Sequence, residues 1–245
     1  MSAGNWSVCS VVAATVLAAS ATGAGAGPRA VVELFTSQGC SSCPPADKLV
    51  GELRKDPTLV VVSLPVHYWD YLGWKDTLAD PRHTARQKAY SRVRGDGDIY
   101  TPQAVVNGAA HALGSDKRAI ENAVATARDH GAQLSVPVDV AVANGQVSIT
   151  VGTGDAGAAG EVWIWGLASA VPVAIGRGEN KGRTVTYANV VRRWVKLGDW
   201  VGAGKWTIPL SDVKTEMVDS IAVIVQVGNS GTPGVIRGAA IAQLQ

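Results

Sequence analysis

The sequence is short of cysteine, phenylalanine and net charge: its 245 residues hold three Cys and one Phe, and the formal net charge is +2. So small a charge argues against nucleic acid as the main partner, because a phosphate backbone is met by a strongly basic face. No His-x-x-His pattern and no second close cysteine pair occurs, so a metal would need ligands from distant segments. No phosphate-cradling glycine loop, no Ser/His/Asp order and no carboxylate pair stands out. Beyond residue 29 no apolar run approaches the roughly 20 residues that a membrane span needs.

What is present starts with apolar material. Hydrophobic residues make up 47% and charged residues 17%, enough to fill one large domain or two small ones. Eight Trp occur, mainly around Trp69 and Trp74 and again from Trp163 onward. Residues 1–29 do not read as part of the fold. Val8 to Ala21 is small, apolar and uncharged, and an Ala/Gly stretch and Pro28 follow. This reads as a signal peptide over 1–26, although the segment before Val8 lacks Lys and Arg. Cys9 would leave with it. The expectation is a periplasmic or secreted protein with no membrane span after processing, whose two remaining cysteines meet oxidising conditions.

The remaining chain divides by pattern. Ala30–Phe35 and Leu59–Leu64 read as buried strands, with a helix from Pro45 to about Arg54 between them. Asp80 and Pro81 are the cap and first position of a helix over 80–93. Gln103–Val106 is a third strand, and Asn107–Gly108 turns it into a fourth through Leu113. Ser115 precedes a last helix, Asp116 to His130. The order is β-α-β-α-β-β-α. After a boundary near Gly131–Ser135 the pattern changes. Val136, Val138, Val140 and Val142 alternate, Asn144–Gly145 turns the chain, and Val147, Ile149 and Val151 alternate back. Strand-like runs follow at 161–168, 184–195, 205–210, 220–227 and 235–243. With no helix among them, they predict an all-β antiparallel sandwich over 135–245.

The chemistry centres on Cys40–Ser41–Ser42–Cys43, set after a strand and before a helix. In a βαβ setting this spacing is a redox signal. The first thiol is offered near unpaired helix N–H groups that favour the thiolate, and the second is close enough to resolve a mixed disulfide.

Glu33 to Asp47, with the cysteines at its centre, resembles the signature of the DUF1223 family of exported proteins. Tyr68–Trp74, Tyr100–Gln103 with Val105–Gly108, and Gly178–Thr184 agree with it. The resemblance implies an α/β thioredoxin-like domain over 29–132, a mixed sheet with flanking helices, and then a β-rich domain. It supplies no reaction. In a thioredoxin-like domain Pro102 is the cis-proline opposite the cysteines, and Thr101 offers backbone groups to a bound peptide. Glu33 is either a buried acid that moves protons for the second thiol or a structural partner of Arg86 or Arg92. Pro44 and Pro45 push the helix start back to Pro45, with Asp47 in its first turn.

Three readings of the pair follow. Thiol–disulfide exchange with protein or small-molecule thiols makes Cys40 the attacking thiol and Cys43 the resolving one, with no cofactor. A structural disulfide in a non-catalytic binding module is the second, although so short a loop contributes only about 2 kcal/mol in the chain-entropy model. The third is copper or zinc binding with His67, His83 or His111. Tyr68, Trp69, Tyr71 and Trp74 form either a docking wall beside the cysteines or a packed loop over the sheet. Arg177, Lys181, Arg183, Arg192 and Arg193 crowd one stretch, which reads as a solvated basic loop or as a contact for an anionic partner.

Overall fold

The computed structural model describes residues 27–129, 131–155 and 157–244. The expected leader with Cys9, and the expected helix end at His130, lie outside the described residues. The first half runs β1 (Ala30–Thr36), α1 (Pro44–Leu53), β2 (Leu59–Pro65), α2 (Pro81–Arg94), β3 (Gln103–Val106), β4 (Ala110–Leu113) and α3 (Lys117–Asp129). Seven strands follow: β5 (Val138–Ala143), β6 (Gln146–Val151), β7 (Gly160–Ala174), β8 (Thr184–Trp200), β9 (Gly204–Pro209), β10 (Ser220–Asn229) and β11 (Thr232–Gln243).

Local chemistry accounts for these elements. β1 and β2 are buried at every position, as continuous apolar runs require. Asp80 caps α2 by accepting from the Arg82 N–H at 2.8 Å, Pro81 opens the helix, and Gly95 closes it at φ 76°. Asn107 and Gly108 take φ of 49° and 68°, the left-handed pair of a tight hairpin between β3 and β4. α1 corrects the expectation by one residue: it begins at Pro44, with Cys43 as its cap. Two prolines in the first turn cost no intrahelical hydrogen bond, and the Cys43 carbonyl accepts from the N–H groups of Ala46 and Asp47 at 2.8 and 3.1 Å. This outweighs the pre-proline bias against helical geometry at Cys43, whose φ and ψ are −79° and −35°.

The fold is mixed α/β, with one eight-stranded mixed sheet in the order β11-β10-β7-β8-β2-β1-β3-β4 and a three-stranded antiparallel sheet, β5-β6-β9. The expected sandwich of the second half does not stand apart. Four of its strands extend the sheet of the first half, β8 pairing parallel to β2 at Ser63 and Val190. Side chains fasten this seam. Ser63 Oγ donates to the Ala188 carbonyl and Asn189 Nδ2 donates to the Val61 carbonyl, both at 2.8 Å. The smaller sheet covers the outer part of the large one over a core containing Ile149, Val162, Ile164 and Val223. α1 and α3 pack over Val32, Leu34 and Val106, while the opposite face of the sheet carries Val31, Phe35, Tyr90 and Trp165. Among the described residues no helix is long and apolar enough to cross a membrane.

Candidate functional site

β1 ends at Thr36, and the chain then makes two tight turns before α1. Cys40 N–H bonds to the Ser37 carbonyl and Cys43 N–H to the Cys40 carbonyl, each at 3.2 Å. The turns bring Cys40 and Cys43 together as a disulfide, with their Cα atoms 5.4 Å apart. Ser42 Oγ lies 3.4 Å from Cys40 Sγ, and the Thr101 carbonyl oxygen lies 3.8 Å from it. The Thr101–Pro102 peptide bond is cis. Gly114 passes behind it, donating its N–H to the Pro102 carbonyl at 2.9 Å. A Cβ on Gly114 would stand 2.5 Å from Leu34 Cδ1 and 3.0 Å from Pro102 Cβ, so a side chain there would displace Leu34. Both cysteines are buried, Cys40 at 1% exposure and Cys43 at 0%.

Part of that enclosure comes from a segment distant in sequence. The β7–β8 connection, residues 175–183, reaches back over the cysteine loop. Asn180 Nδ2 donates to the carbonyls of Gln38 and Cys40 at 2.9 and 2.8 Å, and Ser41 N–H donates to Glu179 Oε2 at 3.0 Å. Sequence reasoning noticed the stretch Gly178–Thr184 without seeing what it touches. An Asn between glycines in a loop is the only local signal. Asn180→Ala leaves the buried Gln38 carbonyl without this donor and the Cys40 carbonyl with only the Cys43 N–H, at a cost of roughly 1–3 kcal/mol. The expected result is a lower Tm and faster reduction of the disulfide by dithiothreitol. An unchanged reduction rate would show that this segment does not hold the cysteine loop closed.

The aromatic loop joins the same site. Trp69 Nε1 donates to Thr101 Oγ1, and Trp74 Nε1 donates to Gln38 Oε1, each at 2.8 Å. A Cβ on Gly39 would lie 3.0 Å from Trp69 Cβ, so Gly39 permits the close approach of the two loops. Tyr68 OH donates to Gln87 Oε1 at 3.2 Å, and Gln87 Nε2 donates to the Tyr100 carbonyl at 2.9 Å, which supports the Thr101 segment from α2. Trp69 and Trp74 are therefore tied into the site by their indole N–H groups, while Tyr71 is exposed. Asp76 fixes a turn by accepting from the Leu78 and Ala79 N–H groups, and it also accepts from Gln38 N–H at 2.8 Å.

Glu33 does not lie beneath the cysteines. It faces α2, where Arg86 Nε donates to its Oε1 and Tyr90 OH to its Oε2, both at 2.6 Å. Of the two roles open to it, this is the structural pairing, with Arg86 rather than Arg92. The buried acid next to the disulfide is Asp47, one helical turn beyond Cys43 on α1. It is 1% exposed, Thr36 Oγ1 donates to its Oδ1 at 2.7 Å, and its Oδ2 has no hydrogen-bond partner among the described residues. Burial pushes its carboxyl from 3.8 up to about 8; the Thr36 hydrogen bond works against this and Asp76 adds to it. Asp76 is also raised by burial, against the N–H groups it accepts from. A carboxyl with a pKa near that of a thiol gives a proton in its neutral form and takes one in its ionised form. Sequence reasoning read Asp47 as a first-turn charge; nothing in its neighbours announced burial.

The histidines are engaged elsewhere. His83 is buried, its Nδ1 is 2.9 Å from the Pro65 carbonyl, and burial lowers its pKa to about 4. His67 Nδ1 pairs with Thr84 Oγ1 and His111 Nδ1 with Tyr100 OH, each at 2.9 Å. Among the described residues one group could gather three metal-ligand atoms, Asp96, Asp98 and His111, and it excludes both cysteines.

The fold has a counterpart of known structure. The chain is similar to protein AGR_C_4864 from Agrobacterium tumefaciens, solved by X-ray crystallography, with a TM-score of 0.76 and 34% identity. The likeness covers 88% of this chain and 96% of that one. Curated proteins offer no match. A family model described as "Protein of unknown function (DUF1223)" matches residues 31–226, from β1 into β10, and the chain belongs to that family.

Proposed function

We propose that this is an exported thioredoxin-like protein that exchanges disulfides with protein or small-molecule thiols through Cys40 and Cys43. The observation that carries the reading is the disulfide at the junction of β1 and α1, with the buried Asp47 one turn beyond Cys43. In the reduced protein the Cys40 thiolate attacks a partner disulfide, forming a mixed disulfide and releasing one partner thiolate. Asp47 in its ionised form takes the Cys43 proton, and the Cys43 thiolate attacks Cys40 Sγ. The intramolecular disulfide re-forms and the second partner thiolate leaves. Two electrons pass to the partner, whose thiolates take up the two protons. Asp47 takes over the proton-handling role considered for Glu33, whose carboxylate is occupied by Arg86 and Tyr90.

Burial of both sulfurs favours a second reading, a structural disulfide that shapes the loop of a binding module. The redox potential separates the two. Exchange predicts a potential in the range of about −120 to −270 mV spanned by known exchange proteins, and a partner trapped on Cys40 in Cys43→Ser. A potential below about −300 mV with no trapped partner would establish the structural role instead.

A further inference from the structure

Beside the disulfide, on the flank of α1, lies a feature that exchange chemistry does not use. A cavity of about 580 Å³ opens between α1 and the β7–β8 hairpin. Its wall carries three cationic side chains, Lys48 from α1, Arg54 at the C-terminal cap of α1 and Arg183 just before β8, together with Thr184 and Thr186. All three cations are exposed and none forms an ion pair among the described residues. Arg54 spends one Nη1 on the Ser169 carbonyl at 2.7 Å, which fixes its guanidinium at the rim.

The one carboxyl in the wall is Asp47. It does not neutralise the cations, because it is buried, bonded to Thr36 and neutral below about pH 8. Three cationic side chains thus line one concave space within the size range of small-molecule sites, with hydroxyls beside them. A concave wall that carries charge of one sign focuses the field and attracts an anion, which paired cations would not do.

We propose that this cavity binds a small polyanion, a molecule bearing two or three carboxylate or phosphate groups. Lys48, Arg54 and Arg183 pair with its charged oxygens, and Thr184 and Thr186 hydrogen-bond to them. Arg183 continues the 175–183 segment that clasps the cysteine loop, its N–H bonded to the Asn180 carbonyl at 3.1 Å, so an occupant touches the segment that covers the disulfide.

The test is calorimetric titration of the oxidised protein at pH 7 and low salt with two probes, citrate and inorganic pyrophosphate. No thiol chemistry is involved, so failure here leaves the exchange reading standing, and the reverse also holds. Binding of either probe is expected, and the tighter one identifies the ligand class as carboxylate or phosphate. Lys48→Ser and Arg183→Ser should each weaken it about tenfold, the size of one lost charge-assisted hydrogen bond. Lys48→Arg should retain it. Lys88→Ser, which removes an exposed cation of α2 on the other face of the sheet, should leave it unchanged. The proposal is overturned if neither probe binds below 10 mM, or if Lys88→Ser weakens binding as much as Arg183→Ser does.

Discussion

Asp47→Asn is expected to make the protein more stable, by a margin that grows with pH. The carboxyl has a pKa of 3.8 when free and about 8 when folded, because burial disfavours its ionised form. Below pH 3.8 the carboxyl is protonated in both states and contributes no difference. Between pH 3.8 and about 8 the unfolded chain gives up the proton while the folded one keeps it. Stability therefore falls by about 1.4 kcal/mol per pH unit across that window and then levels off. The accumulated loss is on the order of 5 kcal/mol. Asn cannot ionise, and it keeps the Thr36 hydrogen bond through its carbonyl oxygen. Urea unfolding of both proteins at pH 4, 6 and 8 should show nearly equal stability at pH 4 and a gap of several kcal/mol at pH 8. A gap independent of pH would mean that Asp47 is ionised in the native protein, and its proton-handling role would fall with it.

The second large effect is expected at Arg86. Its guanidinium holds Glu33 of β1, donates to Gln226 Oε1 of β10 at 2.9 Å, and lies over the rings of Tyr90 and Trp165 at 4.8 and 4.9 Å. One side chain thus ties α2 to strands from both halves of the chain. Arg86→Met leaves the Glu33 carboxylate buried with only the Tyr90 hydroxyl and should destabilise the protein by about 3–5 kcal/mol. Glu33→Leu combined with Arg86→Met removes both charges and should recover most of that loss, since a buried pair costs nearly as much to desolvate as it returns. Thermal unfolding should show the single variant lower in Tm by about 10 °C or more. If the double variant is no more stable than the single one, the loss comes from the rings over Arg86 and not from the stranded carboxylate.

The two residues differ in how much of their role could be read from the chain. An acid at Glu33 in an otherwise apolar strand called for a partner, and Arg86 was one of two candidates. Asp47 carried no such mark: an acid in the first turn of a helix is ordinarily solvated and favourable there. Its burial depends on β1 and the β7–β8 hairpin closing around α1, which α1's own sequence does not record. The aromatic loop read from the sequence either as a wall beside the cysteines or as a packed loop over the sheet, and the partners of Trp69 and Trp74 depend on where Thr101 and Gln38 end up. The clasp by Glu179 and Asn180 was invisible, because a side chain reaching across the fold leaves no periodic trace.

By itself the sequence determined the elements and the place of the cysteine pair among them. Burial on both faces makes β1 and β2 continuous apolar runs, Asn107–Gly108 and Asn144–Gly145 impose hairpins, and Cys40 and Cys43 sit where strand passes to helix. These are local properties, set by backbone geometry and by the faces a segment must bury. Only the tertiary structure decided which strands meet. β8 lies against β2, joining one sheet where two units had been expected, because a strand's pattern records that it has a buried face and an edge but not whose edge completes it. The same holds for charge. Whether Asp47 is ionised, and whether Lys48, Arg54 and Arg183 line one cavity, follows from how much water the assembled neighbours exclude and where distant segments meet.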